Sequence, residues 1–319
     1  MELSRIRGQA PAPSNHLVQL MRQHPLLFYF LLAYGLSWAC VLLVFVVLRL
    51  PLEWMWPFTL VTLVGPTMAG FLMTAVTQGR AGILQLLRRF VLWRVGIRWY
   101  LFVLLGVPAL LLLLVLIQPG AFSAFRLPGL SVWTTYLIAY LANLVLAGAL
   151  MEEGGWRGFA LPRMEQRSGP LVGTLLLGVL WALWFLPLFL LVPGYDGAGT
   201  GFVGILIPFV TFVIVAIAYS FVFTWVFNNT RGSILLAILL SASWYTAASA
   251  GALGHLLFPS MKGSALVGPG RLLIVIVVAG VIIAATRGRL SYQRYLRETA
   301  LPAPLTDREQ EQEEVRMSV

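Results

Sequence analysis

Cysteine, lysine, histidine and carboxylate are all scarce in this sequence, and each shortage narrows what it can encode. A single cysteine, Cys40, excludes an internal disulfide framework and a cysteine metal cluster. Three histidines, His16, His24 and His255, leave little imidazole for a metal centre. Lys262 is the only lysine. The twelve acidic residues fall mostly in connecting segments and in the polar end "LTDREQEQEEVRMSV", which reads as a solvated tail. Only 11% of the 319 residues are charged, 59% are hydrophobic and the mean hydropathy is +0.87, which excludes an ordinary water-soluble domain.

What is abundant is apolar sequence in long runs. Eight segments, at about 26–48, 57–76, 99–118, 131–151, 170–193, 202–227, 233–257 and 270–286, are long enough to cross a bilayer as helices. The expected fold class is therefore all-α, a polytopic membrane bundle of about eight transmembrane helices. Residues 1–25 form an N-terminal tail, 26–290 the membrane domain and 291–319 a C-terminal tail. Between the second and third segments, "RAGILQLLRRFVLWRVGIRWY" mixes arginine with apolar residues at helical spacing and reads as an amphipathic helix at the membrane surface. The net charge of +10 has a topological explanation and calls for no nucleic-acid partner. With the N-terminus in the cytoplasm, eighteen basic residues lie inside and four (Arg49, Arg126, Lys262 and Arg271) outside. That asymmetry predicts a multi-pass cell-membrane protein with both termini cytoplasmic and an uncleaved first segment.

Against this background the stretch "MEEGGWRGFALPRM" stands out, with Glu152 and Glu153 directly behind the fourth apolar segment. They are the acidic residues that adjoin a span without lying in an obvious loop or tail. Ionisable groups in that setting cost insertion energy and face the bundle interior. Adjacent positions on a helix point about 100° apart, so the two carboxylates serve different partners, one as a general base and the other as a ligand or support. Arg157 stands four residues after Glu153 and can pair with it on one face. Spacing alone leaves a second reading open, in which the glutamates cap a helix end at the interface and Arg157 neutralises one of them.

The stretch "EEGGWRGFALPRMEQRSGPLVGTLLLGVLWALWFLPLFL" resembles the core of the CPBP family, which comprises CAAX prenyl proteases and bacteriocin-processing or self-immunity proteins. "NNTRGSILLAILLSASWYTAAS" resembles a later part of that core, and the likeness covers about 131–257. The resemblance implies an eight-span intramembrane metalloendopeptidase. Its first motif, a glutamate pair followed after three residues by arginine, is matched by Glu152, Glu153 and Arg157, which it would make the catalytic residues. Its second and third motifs, Phe-x-x-x-His and His-x-x-x-Asn/Asp, would supply metal histidines. Here the first pair of slots holds Trp181 and Phe185, and the second holds Ser241 and Tyr245.

Phe185 offers no lone pair, and Ser241 and Tyr245 are poor zinc ligands. No cofactor is expected, and zinc only if other ligands rebuild the site. His255 lies fourteen residues beyond Ser241, about 21 Å along one helix, so it is badly placed. His16 and His24 could serve only if the tail folded back. The aromatic residues Trp181, Trp184, Phe185, Trp244 and Tyr245 are expected to fill the former cavity by stacking. The expected function is a non-catalytic family homologue that binds membrane lipid and a membrane protein or lipidated peptide. An active peptidase with altered ligands is one rival. The other is a small membrane transporter, for which Gly65-Pro66, Pro187 and Pro208 would provide helix breaks.

Overall fold

A computed structural model describes residues 16–49, 55–146, 148–192, 194–248, 253–261 and 267–299. The tail at 1–15, Lys262 and the acidic end beyond 299 lie outside the described residues. Every described element is helical. In order they are α1 (His16–Gln23), α2 (Pro25–Leu42, continued by a π-helical turn to Val47), α3 (Met55–Phe90), α4 (Ile97–Leu116), α5 (Ala121–Ala124), α6 (Leu130–Leu146), α7 (Ala149–Gly155) and α8 (Leu161–Trp184). A second π-helical turn, Trp156–Ala160, joins α7 to α8. There follow α9 (Leu186–Leu191), α10 (Gly201–Asn229), α11 (Ile234–Ala248), α12 (Leu253–Leu257), α13 (Val267–Ala285) and α14 (Tyr292–Thr299).

Among the described residues, four helical stretches are long and apolar enough to cross a membrane: Pro25–Val47, Ile97–Leu116, Leu130–Leu191 (which spans α6 to α9) and Gly201–Asn229. Ile234–Ala247 and Leu272–Ala285 are shorter apolar helices. The chain is a multi-pass, all-α membrane bundle. Its surface follows the logic of a lipid solvent, since large apolar side chains such as Leu31, Val47, Leu105, Ile138 and Ile207 point outward. Polar and aromatic groups collect inside. Pro25 starts α2 at a position where its missing N–H costs nothing. Within the largely apolar α10 helix, Ser220, Thr224 and Asn228 recur every four residues and are all buried.

Several expectations need correction. The chain before residue 26 is not wholly loose, because His16–Gln23 is the helix α1, and Arg22 Nε donates to the Val76 carbonyl of α3 at 2.8 Å. The C-terminal tail likewise begins with the helix α14, where Arg294 pairs with Glu298 one turn on. The amphipathic stretch from Arg80 shares the range of α3 but not its course. A non-helical break at Gly79 (φ 63°, ψ −155°) sets the part of it up to Phe90 apart as the second of two helices within Met55–Phe90. The fourth apolar segment also divides. The α6 helix stops at Leu146, and α7 starts after Gly148, whose φ of 93° is a left-handed conformation suited to glycine. The glutamate pair therefore opens the next helix and does not close the fourth span. His255 sits on α12, and residues 249–252 between it and α11 lie outside the described residues.

Candidate functional site

The short helix α7 is threaded through the centre of the bundle, packed on α3 and α11. Its glycines make that approach feasible. A Cβ on Gly155 would strike the Pro66 carbonyl and come within 2.6 Å of the Tyr29 hydroxyl. One on Gly154 would lie 2.6 Å from Phe90 Cζ. The pair "GG" in the motif is thus a packing requirement that brings α7 backbone against α3. Gly148 accepts the first helical hydrogen bonds, from Met151 and Glu152 at 2.8 Å each, which fixes the glutamates in the first turns of α7.

Glu152 and Glu153 are both fully buried, so they are not an interfacial cap. They have separate partners, as adjacent helical positions require. Glu152 accepts one hydrogen bond on each carboxylate oxygen: from Trp181 Nε1 at 3.0 Å to Oε2, and from the Tyr245 hydroxyl at 3.0 Å to Oε1. Glu153 pairs with Arg157, whose Nη1 lies 3.1 Å from Oε2 and 3.3 Å from Oε1. Ser241 is a further hydrogen-bond partner of Glu153. Arg157 is itself buried, with its guanidinium carbon 3.8 Å from the Phe223 ring centroid and 4.7 Å from that of Trp181. Two aromatic faces and one carboxylate thus surround the cation.

The structure brings Trp181, Phe185, Ser241 and Tyr245 to one centre with Glu152, Glu153 and Arg157. Phe185 packs on Trp184 (4.7 Å between ring centroids), Phe212 (5.1 Å) and Trp181 (6.1 Å). These rings do fill the centre together, but they meet edge to face at 72–80° and are not stacked, and not all five expected aromatics join them. Trp244 stacks on Tyr219 at 4.3 Å, and Tyr245 acts through its hydroxyl. His16 and His24 join no cluster of three or more metal-capable side chains with the glutamates, and no such cluster exists among the described residues.

The donor set does not suit zinc. A catalytic zinc takes about three protein ligands bearing nitrogen, sulfur or carboxylate lone pairs. Here both oxygens of Glu152 already accept bonds, Glu153 faces a guanidinium, and Phe185 presents carbon. Buried polar atoms of this region without a hydrogen-bond partner include the donors Trp156 Nε1, Trp184 Nε1, and Nε and Nη2 of Arg157, the hydroxyls of Tyr29 and Thr67, and one carboxylate oxygen, Glu153 Oε2, which lies 3.1 Å from Arg157 Nη1. Positive ends of bonds, together with a fixed cation, repel a metal ion.

Some buried chemistry was missed in the sequence. Glu165, read as a loop residue, is 1% exposed and accepts from Asn228 Nδ2 at 2.7 Å. The Thr174 hydroxyl donates to Thr224 at 3.0 Å. The signal was the spacing of Ser220, Thr224 and Asn228 on one face of a largely apolar helix, which favours polar partners on a neighbouring helix.

Comparison with known proteins places this geometry. The family model "Type II CAAX prenyl endopeptidase Rce1-like" matches residues 133–247, the segment that contains α7, α8, α10 and most of α11. The protein "CAAX prenyl protease 2" of Methanococcus maripaludis is 30% identical over 148 residues, which is 43% of this chain and 51% of that protein. The chain thus spans about half the length of the curated relative it matches.

Proposed function

We propose that this chain is a non-catalytic relative of the CPBP family that it resembles, in which a peptidase site has become a hydrogen-bonded structural lock. The observation that carries the proposal is the state of Glu152. Both of its oxygens are engaged by Trp181 and Tyr245, which occupy slots of the family's two metal motifs. Hydrolysis needs an activated water beside a carboxylate. Glu152 is fully buried, and two of the roughly four acceptor positions of its carboxylate are taken by Trp181 and Tyr245, which supports a structural role over activation of a water. On this reading Glu152, Glu153 and Arg157 brace α7 against α8 and α11, and the bundle binds a membrane protein or a lipidated peptide without cleaving it. Its arginine-rich end, with both termini, faces the cytoplasm.

A second reading has one observation in its favour. The trio Glu152, Glu153 and Arg157 is retained whole and buried together, which an altered acid–base peptidase would also require. One experiment separates the two. Detergent-purified protein is dialysed against trace zinc, its metal content is measured, and it is incubated with prenylated and unmodified membrane peptides. The proposal expects no stoichiometric zinc and no cleavage. Cleavage abolished by Glu152→Gln would overturn it. The combined variant Phe185→His, Ser241→His, Tyr245→Asn restores the family pattern and should bind about one zinc per chain.

A further inference from the structure

A second polar site lies apart from Glu152, at the arginine-rich end of the bundle. A cavity of about 170 Å³ opens between the far half of α3 and the start of α8. Its polar lining is Thr74, Gln78, Gln85 and Arg89 from α3, and Arg163 and Gln166 from α8. No carboxylate is among the lining residues. The ion pairs among the described residues engage Arg157 and Arg294, so neither lining arginine is neutralised by one. Both are instead held by neutral groups. Arg163 Nη1 donates to the Phe159 carbonyl at 2.9 Å, and its guanidinium lies 3.7 Å from the centroid of the Phe159 ring. Arg89 Nη2 donates to the Tyr295 hydroxyl of α14 at 3.0 Å. Two pre-positioned guanidinium groups and three side-chain amides around one cavity form a donor-rich cradle. Its complement is a multivalent oxyanion.

The surroundings narrow the ligand. Arg163 and Gln166 also line an adjoining cavity of about 340 Å³, whose other walls include Arg167, Leu26 and Leu27. Leu26 and Leu27 belong to the first turn of α2, which is a candidate span, and Leu27 is 56% exposed. A basic cradle therefore continues into an apolar wall at the end of a membrane helix, which is the polarity profile of an amphiphile. Basic pockets between transmembrane helices suit anionic lipid headgroups.

We propose that the Arg89–Arg163 cavity binds the phosphate of an anionic phospholipid whose apolar part runs over Leu26 and Leu27. The site is independent of the glutamate centre and of whether that centre is catalytic. The test titrates full-length, detergent-solubilised protein with phosphatidylglycerol, with phosphatidylcholine and with inorganic phosphate. Retained ligand is counted by native mass spectrometry. Phosphatidylglycerol should bind about tenfold or more tightly than phosphatidylcholine, and Arg89→Gln and Arg163→Gln should each weaken it about tenfold, the effect of losing one charge-assisted hydrogen bond. Arg80→Gln, an exposed arginine of α3 outside the cavity, should leave it unchanged. An equal loss in Arg80→Gln, or equal retention of both lipids by the wild type, overturns the site in favour of diffuse attraction. Inorganic phosphate binding with the same arginine dependence but no preference for the lipid keeps the phosphate site and overturns its lipid source. If the arginine variants do not fold, Gln85→Leu removes one amide donor and should weaken phosphatidylglycerol about threefold. No loss there overturns the assignment.

Discussion

Tyr245→Phe isolates one contact of the central lock. The substitution removes a single oxygen and keeps the ring, so it leaves Glu152 Oε1 without its 3.0 Å donor and creates no sizeable cavity. A hydrogen bond to a charged group contributes about 1.5–3 kcal/mol in soluble proteins. Inside a membrane the unfolded reference also finds partners, and measured interhelical couplings average about 0.6 and reach about 1.7 kcal/mol. Glu152 is fully buried and its other oxygen is already committed to Trp181, so replacement by a fortuitous partner is difficult. The expected coupling is therefore near the top of the membrane range, about 1–1.7 kcal/mol. It is read from a double-mutant cycle of Tyr245→Phe with Glu152→Gln, using reversible unfolding in mixed micelles. The parallel cycle of Trp181→Phe with Glu152→Gln should give a comparable value, with an added single-variant loss from the smaller ring. A Tyr245–Glu152 coupling below about 0.3 kcal/mol would refute the idea that these donors fix the carboxylate.

Arg157→Met should destabilise by about 3–5 kcal/mol, because Glu153 is left as an uncompensated buried charge, and adding Glu153→Gln should recover most of that loss. A double variant no more stable than Arg157→Met would show that the aromatic contacts, and not the ion pair, dominate. Gly155→Ala should cost about 1–3 kcal/mol or prevent folding, since its Cβ meets the backbone of Pro66 and not a flexible side chain. Gly35→Ala, where nothing lies within 4 Å, is the control and should change stability by about 0.5 kcal/mol or less in the same unfolding measurement.

Much of the site could be read before any coordinates. Glu152, Glu153 and Arg157 were visible because carboxylates are rare in apolar sequence, and the i,i+4 spacing named their pairing. Phe185 and Ser241 drew notice because a resemblance supplied histidine slots at those positions and elementary ligand chemistry made both residues poor metal ligands. Trp181 and Tyr245 were read only as rings. Each carries one donor on a large apolar body, and whether that donor finds a carboxylate depends on where two distant helices put it. Glu165 was misread for a similar reason, since its burial depends on Asn228, sixty-three residues away on α10.

The sequence by itself determined the class of the molecule. Hydropathy and run length alone dictate helices in a bilayer, because backbone groups in lipid must satisfy one another within the segment. Among the described residues, each of the eight apolar segments falls mainly on helix. The tertiary structure decided where those helices break and what meets at the centre. Gly148 separates α6 from α7 because the left-handed turn there lets α7 re-enter the bundle, a choice that hydropathy does not record. The same packing turned two aromatic replacements into hydrogen-bond donors and set Arg89 and Arg163, far apart in sequence, around one cavity. Such outcomes rest on distances between helices, and no local pattern in the chain encodes them.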